Sequence, residues 1–186
     1  MRRFLSWISA AMTTASLVLG AHAFPAADDQ MSQTRIGRSV RHELVMLPQL
    51  SVFDNLAYKV DDGTVTLYGQ VRNPVLKDEA ASVVKKIEGV ESVNNQIEIL
   101  PVSFNDEGIR RREVRAIYGY GSLFRYSQGT LPSIRIIVKN GNVQLFGFVD
   151  RESDADIALM QANRTPGVFS VTNNLQVAGN NQQARK

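Results

Sequence analysis

One stretch of this chain is written twice. Residues 60–71 read Val60-Asp61-Asp62-Gly63-Thr64-Val65-Thr66-Leu67-Tyr68-Gly69-Gln70-Val71. Residues 138–149 read Val138-Lys139-Asn140-Gly141-Asn142-Val143-Gln144-Leu145-Phe146-Gly147-Phe148-Val149. Val60, Gly63, Val65, Leu67, Gly69 and Val71 fall on Val138, Gly141, Val143, Leu145, Gly147 and Val149. The register continues without a gap, so that Gly89, Val90, Val93, Asn95 and Ile97 fall on Gly167, Val168, Val171, Asn173 and Leu175. Self-similarity over a hairpin, a helix and a strand requires two copies of one small domain.

Each copy reads as helix, hairpin, helix, strand. Ile36, Val40, Leu44 and Leu47 recur at helical spacing, and Pro48 stops that helix. Leu56 to Val60 predicts a first strand. Asp61-Asp62-Gly63 predicts a turn with glycine at positive φ, and Val65, Leu67 and Val71 alternate with polar residues as one buried strand face does. Asn73-Pro74 opens a second helix that Gly89 ends, and a last strand follows through Val93, Ile97 and Ile99. In the second copy Val114, Ile117 and Tyr118 mark the first helix, and Ile134, Ile136 and Val138 the first strand. Asn140-Gly141 is a hairpin turn. The second helix is expected over Asp150 to Asn163, with Ser153 or Asp150 as N-cap, and Val171 to Val177 closes the sheet.

The predicted fold class is α+β: two tandem αββαβ repeats, each a three-stranded mixed sheet covered by two helices. The repeats span 36–101 and 106–179. The first helices align at a smaller offset, Val40-Arg41 on Val114-Arg115. The second copy therefore carries four extra residues, somewhere within Tyr118 to Gly129. A core of about 70 residues is marginal alone, so docking of the copies would help both.

The ends read differently. Met1-Arg2-Arg3, an uncharged apolar run from Phe4 to Leu19, and Ala21-His22-Ala23 form the three-part pattern of a secretory signal peptide over 1–23. The run falls slightly short of the ~20 residues that a membrane span needs. Sec export with cleavage after Ala23 is the expectation. Residues 24–35 are expected as a disordered lead and 180–186 as a disordered tail. The chain has no cysteine, which excludes disulfides, thiolate metal sites, a cysteine nucleophile and a lipid-bearing cysteine. A soluble, periplasmic protein without a lipid anchor is expected, with extracellular release as the alternative.

The formal net charge of +3 includes Arg2 and Arg3. Without them the chain is too nearly neutral to argue for nucleic acid. The sign is distributed unevenly. Residues 36–101 hold 7 basic and 9 acidic side chains, and 106–179 hold 9 basic and 7 acidic. The copies differ in surface sign and so need not share one task.

Catalytic chemistry finds few residues to use. His22 falls in the expected signal segment, which leaves His42 beside Glu43 with no second ligand for a metal. Gly119-Tyr120-Gly121 begins like a dinucleotide loop, but Phe124 occupies the third glycine position and no strand precedes it. Asp150, Glu152, Asp154 and Asp156 alternate in the manner of calcium ligands, yet Ala155 and Gln161 stand where that loop needs glycine and glutamate. They read instead as an acidic first turn suited to the helix dipole. No cofactor, metal or catalytic residue is expected.

A basic cluster is more informative. Arg110, Arg111, Arg112 and Arg115 fall on the first helix of copy two, and the inserted loop adds Tyr120, Leu123, Phe124, Arg125 and Tyr126. Arginines beside exposed aromatics match the chemistry of an anionic lipid surface, where charge attracts and rings settle at the headgroup level. The candidate lipid-binding residues are Arg111, Arg112, Arg115, Tyr120, Phe124, Arg125 and Tyr126. The competing reading is a solvated arginine face, with the aromatics serving the core or the seam between copies.

The element order, the duplication, the Gly63/Val65/Leu67/Gly69/Val71 signature and the Gly89-Val90-x-x-Val93-x-Asn95 ending, each with its counterpart, resemble the BON domain family. That resemblance implies export to the cell envelope, no catalytic residues, and a role in contacting phospholipid or envelope proteins under osmotic or other stress. The expected function is a non-enzymatic binding module of the envelope that meets anionic phospholipid. The alternative is a protein–protein interaction or assembly module without lipid binding. Neither nucleic acid nor a small-molecule substrate is expected as a partner.

Overall fold

The computed structural model describes residues 27–129 and 131–178, with side chains from Met31 onward. The expected signal segment 1–23 and tail 180–186 lie outside the described residues. In chain order the elements are α1 (Ala27–Val45), β1 (Asn55–Asp61), β2 (Thr64–Val71), α2 (Pro74–Val84), β3 (Ser92–Asn95) and β4 (Glu98–Ile99). The second set is α3 (Phe104–Tyr118), a 3-10 turn (Phe124–Ser127), β5 (Ile134–Lys139), β6 (Asn142–Val149), α4 (Glu152–Asn163) and β7 (Ser170–Val177).

Each copy forms an antiparallel hairpin, and the last strand joins it in parallel. β1 pairs β2 with Val60 opposite Val65, and β5 pairs β6 with Val138 opposite Val143. The parallel partners are β3 and β4 on β2, and β7 on β6. Both hairpin turns have two positive-φ residues, Asp62-Gly63 at 44° and 71° and Asn140-Gly141 at 52° and 77°. That turn twists in the sense of the strands it joins.

The repeated glycines and asparagines have specific work to do. Gly69 and Gly147 both sit at φ 118°. A Cβ on Gly69 would lie 2.0 Å from the Asn55 carbonyl oxygen, and one on Gly147 would lie 1.8 Å from that of Ser133. No side chain fits there. Asn95 donates to the Lys77 carbonyl at 2.8 Å and accepts from the Ile97 N–H at 3.2 Å. Asn173 does the same with Ala155 at 3.1 Å and Leu175 at 3.1 Å. This one residue ties the last strand to the second helix in both copies.

The helical stripes sit where their spacing puts them. Ile36, Val40, Leu44 and Leu47 pack on Val65, Leu67, Val71 and Leu76 in the first core. Ile109 and Ile117 pack on Ile136, Val143 and Leu145 in the second. Boundaries differ from expectation: α1 ends at Val45, so that Leu47 packs from beyond it, and the last strand of the first copy is split into β3 and β4 with Ile97 between them. The supposed disordered lead is helical from Ala27, because extending a helix already nucleated by the Ile36/Val40/Leu44 stripe costs little. α2 ends at Val84 rather than running to Gly89, with Lys85 as its C-cap. α4 begins at Glu152, with Arg151 at the N-cap and no side-chain cap. Asp150 is unavailable for that role: its N–H donates to the Tyr126 hydroxyl at 2.9 Å and its carboxylate lies 3.6 Å from Arg125.

The two copies dock. The Ile136 N–H at the β5 edge donates to the Val52 carbonyl at 2.9 Å, and Val52 and Phe53 pack against the second core. The Arg72 guanidinium bridges to Glu107 at 3.0 Å and lies 5.2 Å from the Phe53 ring centroid. Lys139 pairs with Glu98. Each small core thus gains apolar cover, and Arg72 and Lys139 gain partners across the seam, as the size of the repeats favours.

Candidate functional site

The candidate surface is built on α3. Ser103 caps the helix, its hydroxyl accepting from the Asp106 N–H at 3.2 Å. Asp106 is buried and takes the Asn140 and Gly141 N–H groups, each at 2.8 Å. A carboxylate at the start of α3 thereby clamps the tip of the β5–β6 hairpin. Arg110 is buried too. It donates to the Val138 carbonyl at 2.7 Å and pairs with Glu107 at 3.4 Å, while burial pulls its pKa down. Of the four clustered arginines, this one belongs to the interior.

The remaining arginines divide by partner. Arg111 is exposed and sits 3.9 Å from Glu107. Arg115 is exposed on the same flank one turn on, its Nε donating to the Arg111 carbonyl at 3.4 Å. Its place in the last turn of α3 also suits the helix dipole. Arg112 is half-buried and donates to the Pro166 carbonyl at 3.0 Å. Arg112, Arg115 and Arg164 line a groove of about 380 Å³ between α3 and the end of α4.

The inserted loop sends its aromatics in opposite directions. Tyr120 is 41% exposed and Phe124 58% exposed, just past the C-terminal end of α3. Tyr126 is buried, and its hydroxyl donates to Asp154 Oδ2 at 2.7 Å. Arg125 also reaches Asp154 Oδ2, and that hydrogen bond raises the arginine pKa. Burial raises the Tyr126 pKa. Of the seven candidate residues, Arg111, Arg115, Tyr120, Phe124 and Arg125 are open to solvent, Arg125 being tied as well to Asp154. Half-buried Arg112 holds two chain segments together, and Tyr126 faces the core.

Sequence reasoning missed Glu113. It is fully buried on α3, and no donor at hydrogen-bond geometry reaches either carboxyl oxygen. Burial pushes its pKa up to about 7, more than the nearby Thr165 hydroxyl and Arg112 guanidinium pull it down. Its spacing offered a clue: Ile109, Glu113 and Ile117 fall at i, i+4 and i+8 on one face.

The acidic run at α4 does not converge. Asp154 is buried against Arg125 and Tyr126, while Glu152 and Asp156 are exposed. Among the described residues no three His, Cys, Asp or Glu side chains are placed to hold a metal ion. Among them, too, no helix is long and apolar enough to cross a membrane.

The family model for the BON domain matches the chain twice, over residues 32–101 and 106–179. The chain belongs to the BON domain family. The tandem BON repeats are similar to the osmotically-inducible protein Y of Escherichia coli K12, at 29% identity over 78% of this chain and 73% of that protein. They are also similar to the outer membrane lipoprotein DolP of Haemophilus influenzae, at 32% identity over 59% of this chain and 56% of the lipoprotein. Among solved structures, CdsD of the Chlamydia trachomatis type III secretion system overlaps 82% of this chain and 98% of its own, with a TM-score of 0.32 and 12% identity.

Proposed function

We propose that this two-BON-domain protein is an exported, non-enzymatic module of the cell envelope, whose second domain meets anionic phospholipid. The observation that carries the reading is an asymmetry on α3. Arg111 and Arg115 stand exposed on one flank, with exposed Tyr120 and Phe124 beyond the helix end. The equivalent positions on α1 hold Gly37 and Arg41, and the net charge of the first copy is of opposite sign. Near an anionic leaflet each exposed arginine is worth ~1 kcal/mol, and aromatic rings seat at the headgroup level. The amino-terminal pattern and the two relatives, one osmotically inducible and one an outer membrane lipoprotein, support the envelope setting.

The test is co-sedimentation of residues 24–186 with vesicles of neutral and of mixed anionic composition. Binding confined to anionic vesicles, and weakened by salt, is the expected result. Absence of binding to anionic vesicles at low salt removes the lipid reading and leaves a protein partner.

A further inference from the structure

At the seam between the two domains lies a cavity of about 580 Å³. One wall comes from the first domain, with Leu44, Leu56 and Tyr58. The other comes from the second, with Leu131 and Phe148. Its volume falls in the range of about 300–1,000 Å³ of small-molecule sites, which favour domain interfaces and combine apolar walls with a few polar groups.

The charged groups in this cavity are not balanced. Asp54, the carboxylate that lines it, is already satisfied: Oδ2 accepts the Ser51 N–H at 3.0 Å and the Ser51 hydroxyl, and Oδ1 accepts the Arg72 N–H at 2.7 Å. Arg135 is half-buried and lines the same space. Its guanidinium has one weak hydrogen bond, to the Ser51 carbonyl at 3.5 Å. Among the described residues it has no ion pair within 4.0 Å, and Tyr118 and, less, Asp54 favour its charged form without offsetting the desolvation. Desolvation pulls its pKa down, so the site has lost water around a cation without gaining an ion pair. A guanidinium has five N–H donors in a fork that fits a carboxylate. Arg41 lines the cavity as well and adds a second positive charge.

We propose that this seam cavity binds a single-chain fatty acid, its carboxylate on Arg135 and its acyl chain along the apolar walls of both domains. A fatty acid matches both features at once. Its head satisfies an arginine that the protein leaves unpaired, and its chain strands no polar group against leucine and phenylalanine. A peptide ending in a carboxylate would need a partner for each backbone amide, for which Asn55, Tyr58 and Ser133 are the uncharged polar side chains in the lining. The site is separate from the α3 flank and does not rest on the vesicle reading. Because both domains line it, occupancy also strengthens their docking.

Calorimetric titration of residues 24–186 with laurate, held below its micelle concentration, tests the proposal, with methyl laurate and a free-carboxylate Leu-Leu-Phe peptide as controls. The expected result is saturable binding of laurate, weaker binding of the ester, and little binding of the peptide. Arg135→Met keeps the aliphatic stem and removes the charge. It should weaken laurate by about tenfold or more, the order of one charge-assisted pair, and leave the ester unchanged. Phe148→Asp, at a half-exposed site, should weaken laurate and ester alike. Circular dichroism on each variant separates loss of binding from loss of fold. Arg111→Glu with Arg115→Glu should leave laurate binding intact. Failure of wild type to bind laurate saturably, or equal binding by Arg135→Met, overturns the proposal. Stronger binding of the peptide than of laurate overturns it in favour of a peptide site.

Discussion

The Tyr126 hydroxyl donates to Asp154 Oδ2 at 2.7 Å, at the position where the first domain buries Leu76. A buried carboxylate has replaced a leucine on the second helix, and such a group needs partners. Arg125 and Tyr126, both on the 3-10 turn within the segment that carries the four extra residues, supply them. The extra loop and the extra aspartate are two halves of one polar cluster.

Tyr126→Phe should therefore cost about 1–3 kcal/mol of stability, because it removes one of two donors to the buried Asp154 carboxylate and the acceptor of the Asp150 N–H. Adding Asp154→Leu to it should recover part of the loss, since the buried carboxylate is gone and Arg125 keeps Asp150 as a partner. Urea unfolding of the two variants checks this. A double variant no more stable than Tyr126→Phe would show that the carboxylate is not the source of the cost.

Glu113 makes stability depend on pH. Its folded pKa of about 7 lies above the usual carboxylate value, so the folded state holds its proton where the unfolded chain has released it. The contribution is fully present below the unfolded pKa, declines as pH rises toward 7, and is gone above it. The span corresponds to about 3 kcal/mol at most. Glu113→Gln should flatten this decline, as measured by denaturant midpoints between about pH 4.5 and 7.5.

The arginines of the candidate surface should separate by task. Arg111→Glu with Arg115→Glu should abolish binding to anionic vesicles and leave the melting temperature unchanged, because both side chains are exposed. Arg125→Glu should lower the melting temperature, because it faces the buried Asp154 with a like charge. Arg38→Glu with Arg41→Glu, in the first copy, should leave vesicle binding near wild type. Equal loss from both pairs would point to a general charge effect.

Gly69→Ala and Gly147→Ala should each destabilise by the order of 3 kcal/mol. The new Cβ meets a backbone oxygen at a φ that alanine avoids, and neither atom is the end of a flexible side chain. Thermal melts of each variant against Gly121→Ala, whose Cβ meets nothing, provide the comparison.

What the sequence determined by itself was local and repeated. The helical stripes, the positive-φ turns and the segment that holds the insertion follow from spacing and local backbone geometry, while Gly69 and Gly147 answer to the facing hairpin strand. The asparagines at 95 and 173 were visible as a pair, though not as the tie between strand and helix. The tertiary structure alone decided which charges are free. Arg110 reads like Arg111 in the chain, yet it is buried on the Val138 carbonyl, 28 residues away. Arg125 and Tyr126 read as surface chemistry until Asp154, 29 and 28 residues on, takes both. Asp106 and Glu113 gave no local sign of how each would be satisfied or left unpaired. The seam is the extreme case, since Arg135 and Ser51 are 84 residues apart. Periodicity constrains how a side chain leaves its own helix or strand. A polar group's energy depends on what the rest of the chain brings against it, and that is settled only when the two domains close.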